Sequence, residues 1–192
     1  MKKELTMRQA VAEIIKSIDH EDMYFLTADV GYGVLDGLKD RMKDRFINVG
    51  LAEQSMIGVA SGLALSGKEV FTYSMCSFYL RALEQIKLDL CYQDVPVKII
   101  GVGTGFDYEY LGTTHFGIDD EKIISHLLNI DVVTPQNQSE LESALKRKIN
   151  RPLYIRVGGY IENLDFPIDW KKLKKYPKEG GDRQYFKEKY SK

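Results

Sequence analysis

Cysteine is scarce in this sequence of 192 residues. Only Cys76 and Cys91 occur, and they show neither CxxC spacing nor the density of a disulfide scaffold. This pattern favours a reducing compartment, and we expect a cytoplasmic protein. Long apolar runs are also lacking: Arg8, Glu13 and Lys16 interrupt the first stretch, so no signal peptide is predicted, and no later run has the length of a membrane span.

An excess of charge of one sign is lacking as well. The 27 lysines and arginines and the 28 acidic residues give a net charge of −1 and a pI near 6.3. Nucleic-acid affinity depends on many basic contacts to phosphates, so we expect no nucleic-acid partner. With 44% hydrophobic and 29% charged residues, the chain has the composition of a globular domain that buries one sizeable core.

Helical and strand patterns alternate along most of the sequence. Thr6 is placed to cap an amphipathic helix over MRQAVAEIIKSI. Strands are predicted at MYFLTADV, RFINVG, KEVFTYS, VPVKIIGVG, DVVTP and PLYIRVG. Further helices are predicted at EQSMIGVASGLAL, which Gly67 ends, and at SFYLRALEQIKLDLCY, EKIISHLL and SELESALKRKI. The alternation predicts an α/β fold with a three-layer, mostly parallel sheet and helices on both faces.

Polar residues follow several of the predicted strands. Asp29 ends the first strand, Glu53 follows the second, Ser77 follows the third, and a loop rich in glycine and tyrosine over 103–117 follows the fourth. In sheets of this kind, ligands bind beyond the carboxyl ends of the strands. We therefore expect these residues to share one edge of the sheet.

The character of the sequence changes after Gly159. Residues 159–192 are rich in lysine and aromatic residues and lack a sustained period of either kind. We predict one domain over residues 1–158, followed by a tail or docking segment over residues 159–192.

An ordered set of motifs covers about residues 6–158. The motifs are FINVGLAEQSMIGVASGLALSG, TYSMCSFYLRALEQIKLDL, VPVKIIGVG, LGTTHFGIDD, DVVTPQNQSELESAL and PLYIRVGG. In this order and at this spacing they resemble the pyrimidine-binding domain of the transketolase and deoxyxylulose-phosphate synthase group. The resemblance implies the thiamine-diphosphate-binding fold of pyrimidine-domain type, with thiamine diphosphate as the cofactor.

Glu53 lies in the most informative motif, GLAEQ. In the resembling family, the matching glutamate binds N1′ of the aminopyrimidine ring and favours its imino tautomer, so that the exocyclic imine can remove the C2 proton of the thiazolium. The resemblance therefore implies that Glu53 activates the cofactor. The alternative is that Glu53 only caps a helix, because acidic residues favour first turns.

Phe78 and Asp29 match two positions near the cofactor in that group. The resemblance implies that Phe78 stacks on the pyrimidine, for which a flat apolar ring is suited, whereas a core phenylalanine would give the same pattern. Asp29 matches an acid near the cofactor and the subunit contact. A turn or capping aspartate before Gly31 explains Asp29 equally well.

Thr114 and His115, in GTTHFG, match the substrate side of the site. The resemblance implies that the imidazole of His115 donates to a ketose hydroxyl or to a developing oxyanion. A solvated loop histidine is the alternative. Arg81 also matches a substrate position, although an ion pair with Glu84 or its neighbours would explain it too.

The loop after VKIIGV departs from the pattern of the group. Members that act on ketose phosphates usually carry a basic residue directly after that strand and an aspartate shortly before the GxTH threonine. Here these places are occupied by Gly103, Thr104 and Leu111. The loop instead resembles that of two-gene transketolase-like proteins, and the departure argues against assuming the usual sugar phosphates.

Two regions of the family are lacking in the sequence. No GDG metal motif followed by asparagine occurs, since residues 180–182 are GGD, and we expect no metal site in this chain. The resemblance implies a diphosphate-binding transketolase N-terminal subunit as the partner, which holds Mg²⁺ or Ca²⁺, and a homodimer within a heterotetramer. The third domain of the family is also expected to be absent, with the tail replacing some of its contacts.

The leading hypothesis is a subunit of a split, transketolase-like transferase in carbohydrate metabolism. Such an enzyme moves a two-carbon ketol unit between sugars or sugar derivatives. Two alternatives stay open: decarboxylation of a 2-oxoacid with carboligation, as in deoxyxylulose-phosphate synthase, and a non-catalytic regulatory subunit that retains the fold.

Overall fold

The computed structural model describes residues 5–158 and contains one parallel sheet of six strands in these residues. The strands are β1 (Met23–Thr27), β2 (Phe46–Asn48), β3 (Glu69–Met75), β4 (Val97–Val102), β5 (Asp131–Val133) and β6 (Leu153–Val157). Their spatial order is β2-β1-β3-β4-β6-β5, and every neighbouring pair is parallel. The predicted α/β class and parallel sheet are confirmed.

Helices connect these strands. They are α1 (Met7–Ile18), α2 (Asp36–Met42), α3 (Glu53–Leu65), α4 (Cys76–Tyr79), α5 (Leu83–Gln85), α6 (Asp120–Ser125) and α7 (Gln138–Lys146). Short 3₁₀ turns occur at Lys43–Arg45, Leu80–Ala82, Glu109–Leu111 and Thr113–His115, and a π-helix spans Ile86–Cys91. Thr6 caps α1 in a reciprocal capping box with Gln9, as the pattern predicts.

The core lies in two layers, one on each face of the sheet. Helices α1, α2 and α7 pack on the face that carries Phe25 and Ile100. Helices α3, α4 and α6, together with the π-helix, pack on the opposite face, which carries Leu26 and Ile99. Because consecutive strand residues point to opposite faces, both faces of each central strand are apolar, and the three-layer prediction is confirmed.

The segment over 77–92, predicted as one helix, is four pieces in the structure. Helix α4, a 3₁₀ turn, helix α5 and the π-helix follow one another, and the π-helix ends where the backbone N–H of Tyr92 donates to the carbonyl of Lys87, five residues back. Ile86 and Leu90, four positions apart in this segment, are both fully buried, as one apolar face of a helix-like segment would place them. The spacing of apolar residues indicates which face of a segment is buried. It does not indicate whether the backbone hydrogen bonds follow the 3₁₀, α or π pattern.

Helix α2 was not predicted from the sequence. It has seven residues and contains Gly37, so it offers too short a periodic run to be recognised. Its two buried residues, Leu38 and Met42, are four positions apart and pack into the core layer that α1 also covers.

The predicted tail over 159–192 lies outside the described residues. Within residues 5–158, no helix combines the length and the apolar character that crossing a membrane requires.

Candidate active site

The carboxyl ends of the strands bring four of the predicted site residues into a continuous chain of contacts. The carboxylate of Glu53 pairs with Arg81, whose guanidinium lies 5.5 Å from the ring centre of Phe78. The Phe78 ring in turn meets the ring of His115 edge-on, with 5.1 Å between the ring centres. The structure therefore unites residues from the segments that follow β2, β3 and β4.

Glu53 is the first residue of α3, and its side chain is fully buried. Its Oε2 accepts a hydrogen bond of 2.9 Å from Arg81, while its Oε1 has no hydrogen-bond partner among the described residues. The carboxylate thus does not cap the helix by binding a backbone N–H there. A buried charged group with an unpartnered oxygen is costly, and this arrangement is typical of a group that awaits a ligand.

Arg81 lies on the 3₁₀ turn between α4 and α5, and it pairs with Glu53 rather than with Glu84. The alternative of a local ion pair along one regular helix is therefore wrong. A fully buried carboxylate such as that of Glu53 is costly without a positive partner, which favours its pairing with Arg81.

Phe78 borders both the core and the site. It is half-buried and packs against the core layer that contains Tyr73 and Met75. Its ring also contacts Arg81 and His115, so the residue is more than a core phenylalanine. An aromatic ring at this edge offers a surface on which a flat heterocycle can stack.

His115 and Thr114 lie on the 3₁₀ turn Thr113–His115, directly after Gly112 at a φ of +87°. The hydroxyl of Thr114 is 2.9 Å from Nδ1 of His115. Burial lowers the pKa of His115, which favours the neutral imidazole at neutral pH. Because Nδ1 is engaged by Thr114, Nε2 of the neutral imidazole is the ring nitrogen left to hydrogen-bond a sugar hydroxyl.

Asp29 belongs to a separate cluster at the end of β1. It adopts a φ of +55°, and its Oδ1 accepts hydrogen bonds from the hydroxyl of Tyr32 and the amide of Asn48, at 2.7 and 3.0 Å. These two hydrogen bonds lower the pKa of Asp29. Asn48 also accepts from the backbone N–H of Asp29, so the cluster joins the ends of β1 and β2. These contacts fit the turn alternative, and none of them links Asp29 to Glu53 or Phe78.

Arg8, for which no sequence pattern indicated a role, lies at the same edge in the structure. Its guanidinium lies 5.4 Å from the ring centre of Tyr108. That ring covers Gly103, directly after β4, so closely that a Cβ on Gly103 would lie 2.7 Å from it. The sequence shows only that Arg8 lies in the first turn of a predicted helix. The fold is what brings this turn next to the loop over 103–117.

Within residues 5–158, no group of three or more histidine, cysteine, aspartate or glutamate side chains stands close enough to hold a metal ion.

Comparison with known proteins identifies the family of the chain. Residues 3–158 match the family described as transketolase, pyrimidine binding domain. One subunit of the apulose-4-phosphate transketolase of Actinobacillus succinogenes is 41% identical over 119 residues, which are 60% of this chain and 38% of that protein. The 6-deoxy-6-sulfo-D-fructose transketolase subunit of Clostridium sp. is 30% identical over 157 residues, 79% of this chain and 49% of that protein.

A solved structure described as a split gene transketolase, an inactive beta4 tetramer, superposes with a TM-score of 0.68 at 29% identity. The match covers 81% of this chain and 52% of that one. The chain therefore spans about half, or less, of the length of the relatives and of the solved chain that it matches. Since the family match extends over most of its length, this chain belongs to the transketolase pyrimidine-binding domain family.

Proposed function

We propose that the chain is the pyrimidine-binding subunit of a split, thiamine-diphosphate-dependent transketolase-like enzyme, with Glu53 as the residue that activates the cofactor. The single observation behind this proposal is the buried carboxylate of Glu53, one oxygen of which is held by Arg81 while the other has no partner among the described residues. It lies in one chain of contacts with an aromatic ring and an imidazole at the carboxyl edge of the sheet.

The residues at this edge fit the aminopyrimidine end of thiamine diphosphate. Oε1 of Glu53 would bind a ring nitrogen through a shared proton, which would remove the cost of its unpartnered burial. Phe78 would stack on the ring. When bound, the cofactor supplies the electron sink for breaking the carbon–carbon bond of a ketose.

The chain's own side chains would then have separate tasks. Arg81 holds Oε2 of Glu53 and thereby fixes the direction of Oε1. His115, neutral at neutral pH, would hydrogen-bond a hydroxyl of the sugar, with Thr114 at its Nδ1 setting the tautomer. The side chain of Glu53 is fully buried, which would keep water away from the proton that it shares with the cofactor.

The substrate would be a ketose or sugar derivative with an anionic group. The names of two relatives each contain one, a 4-phosphate in the first and a 6-sulfo group in the second. Arg8, beside Tyr108, supplies a cation at the same edge. The two names describe different sugars. At Gly103, Thr104 and Leu111 the loop lacks the residues that members acting on ketose phosphates usually carry, which favours a sugar outside the usual ketose phosphates.

A partner chain would supply the diphosphate site and its Mg²⁺ or Ca²⁺. In support of this, the solved relative that consists of β chains alone is described as inactive.

That relative is also a tetramer, which supports self-association of this type of chain. The exposed positions of α3 include Gln54, Ser55, Gly58 and Val59 and carry no charge, as suits a helix covered by a second copy. We infer a homodimer within a cytoplasmic heterotetramer.

The test is reconstitution of the full chain with a diphosphate-binding transketolase subunit, thiamine diphosphate and Mg²⁺. A panel of ketose donors and aldose acceptors, each with and without a terminal phosphate or sulfonate, is searched for products two carbons longer than the acceptor. We expect such products from the complex and none when Glu53→Gln replaces the native chain. Release of carbon dioxide from pyruvate, without ketol transfer, would favour the carboligase alternative instead.

A further inference from the structure

A buried ion-pair network lies directly behind the loop that carries His115. Arg156, on β6, donates from Nε to Oδ2 of Asp120 at 2.7 Å and from Nη2 to Oδ1 of the same residue at 3.2 Å. Its Nη1 donates to Glu121 at 2.6 Å. The side chain of Arg156 is 8% exposed and that of Asp120 is fully buried.

Buried charges of this kind persist only when their geometry satisfies nearly every donor and acceptor. Asp120 receives a further hydrogen bond of 2.8 Å from the hydroxyl of Tyr154, which is itself fully buried. Although burial lowers the pKa of Arg156, the hydrogen bonds and charge of Asp120 raise it overall above its ordinary value. The guanidinium therefore remains charged and keeps its fork of donors.

One arm of that fork reaches the backbone of the loop. Nη2 of Arg156 donates to the carbonyl of Gly117 at 3.1 Å. The same carbonyl accepts from the backbone N–H of Gly105 at 2.7 Å, and the N–H of Gly117 donates back to Gly105 at 3.0 Å. The approach is so close that a Cβ on Gly117 would lie 2.3 Å from the carbonyl oxygen of Gly103. Arg156 thus binds the point at which both ends of the loop over 103–117 are joined.

His115 lies two residues before this point. The intervening Phe116 is buried and meets the Phe106 ring edge-on at 4.8 Å, so the backbone between His115 and Gly117 has little freedom. The N–H of His115 donates to the carbonyl of Gly112 at 3.0 Å, which fixes the other side of the turn. The position of the imidazole against Phe78 therefore depends on where Gly117 is held.

We propose that Arg156 is a positioning residue that sets the imidazole of His115 against Phe78 by binding Gly117 and Asp120 at once. The fork geometry is essential to this role, because lysine would retain the charge but could not bind Asp120 in two directions and the Gly117 carbonyl together. The catalytic consequence rests on the proposed function, whereas the structural consequence does not.

The structural test uses the full chain with ¹³C-labelled histidine, followed by NMR. The chain has three histidines, and His115→Gln assigns the signal of interest. In the native chain the Phe78 ring, 5.1 Å from the His115 ring, is expected to shift the His115 resonances. Arg156→Lys is expected to move them towards the values of a solvated histidine. The matched control is Arg147→Lys, since Arg147 forms an exposed pair with Asp131. This control should leave the His115 signal unchanged.

If Arg156→Lys does not fold, Asp120→Asn gives a milder and nearly isosteric change of the same network. Unchanged His115 resonances in the folded Arg156→Lys protein, or in Asp120→Asn when Arg156→Lys is unfolded, would overturn the proposal. A displaced His115 signal in the folded variant supports it.

The kinetic test uses the reconstituted complex. Arg156→Lys is expected to lower kcat about 10- to 100-fold, because a shift of about 1 Å in a positioned group costs this much. In the His115→Gln background the same change should have little further effect. Equal losses in both backgrounds would show that Arg156 does not act through His115. A native complex without activity would count against the proposed function alone, because the NMR result is independent of it.

Discussion

Arg81 and Glu53 form an ion pair across two very different environments. The Nη1–Oε2 distance is 2.9 Å, yet the Arg81 side chain is 56% exposed and the Glu53 side chain is fully buried. One oxygen of the carboxylate is therefore fixed from the solvent side. The other is buried and has no partner among the described residues, at the edge where we propose the cofactor binds.

Replacing Arg81 with methionine should leave the carboxylate of Glu53 buried without a counter-charge. We expect the free energy of unfolding to fall by about 1–3 kcal/mol, less than for a fully buried pair because Arg81 is partly exposed. Urea denaturation at neutral pH measures the change. The double variant with Glu53→Gln should recover much of the loss, because a neutral amide needs no counter-charge.

Arg41→Met is the matched control for that experiment. Arg41 is similarly exposed and pairs with the buried carboxylate of Asp19, but Asp19 keeps a second partner in Arg45. Arg41→Met should lower the free energy of unfolding by about 1 kcal/mol or less. Equal costs for Arg41→Met and Arg81→Met would contradict the view that Glu53 depends on Arg81 alone within this part of the chain.

Phe78→Leu removes the ring on which the cofactor is proposed to stack while keeping an apolar side chain. We expect thiamine diphosphate to bind the reconstituted complex about 3- to 10-fold more weakly, as loss of one aromatic contact implies. Isothermal titration calorimetry measures the affinity. Phe78→Tyr keeps the ring and should bind within about twofold of the native complex; a loss equal to that of leucine would argue against stacking.

The parallel sheet, both of its helical layers and the shared edge of the site could be predicted from the sequence. Strand and helix patterns are local, and parallel topology brings the residues after each strand together. The Glu53–Arg81 pair could not be predicted, since it depends on the 3₁₀ turn at Leu80–Ala82, which leaves the apolar spacing unchanged. The Arg156–Asp120 pair and the Arg8–Tyr108 contact join distant segments, so no local pattern indicates them.

His115 should titrate below its ordinary value of 6.5, because burial lowers its pKa. A depressed pKa in the folded state stabilises the fold above the unfolded value, and this contribution is lost as the pH falls through the folded pKa. As the pH falls below neutral, the free energy of unfolding should therefore decrease more steeply for the native chain than for His115→Gln. Unfolding free energies of both proteins between about pH 8 and about pH 5 measure this difference. A pKa of His115 in the folded chain at or above its ordinary value of 6.5 would contradict the prediction.

Val59→Asp tests whether a second copy covers α3. Val59 is 43% exposed in the single chain, so a charge there should be harmless to a monomer. In a homodimer the same charge would be buried, and we expect dissociation of the assembly in sedimentation equilibrium. Leu128→Asp, at an 82% exposed site after α6, is the control and should leave the assembly intact. An unchanged assembly mass for Val59→Asp would place the subunit contact elsewhere.

Activation of the cofactor by Glu53 is tested most directly by the exchange of the C2 proton of bound thiamine diphosphate. The rate is followed by quenched-flow NMR in D₂O, with the reconstituted complex and its Glu53→Gln variant, both saturated with cofactor. Loss of the carboxylate that would share a proton with the cofactor ring should slow the exchange by about 10²- to 10⁴-fold. Exchange in Glu53→Gln within about threefold of the native rate would contradict this role, because general acid–base catalysis is worth far more than that factor.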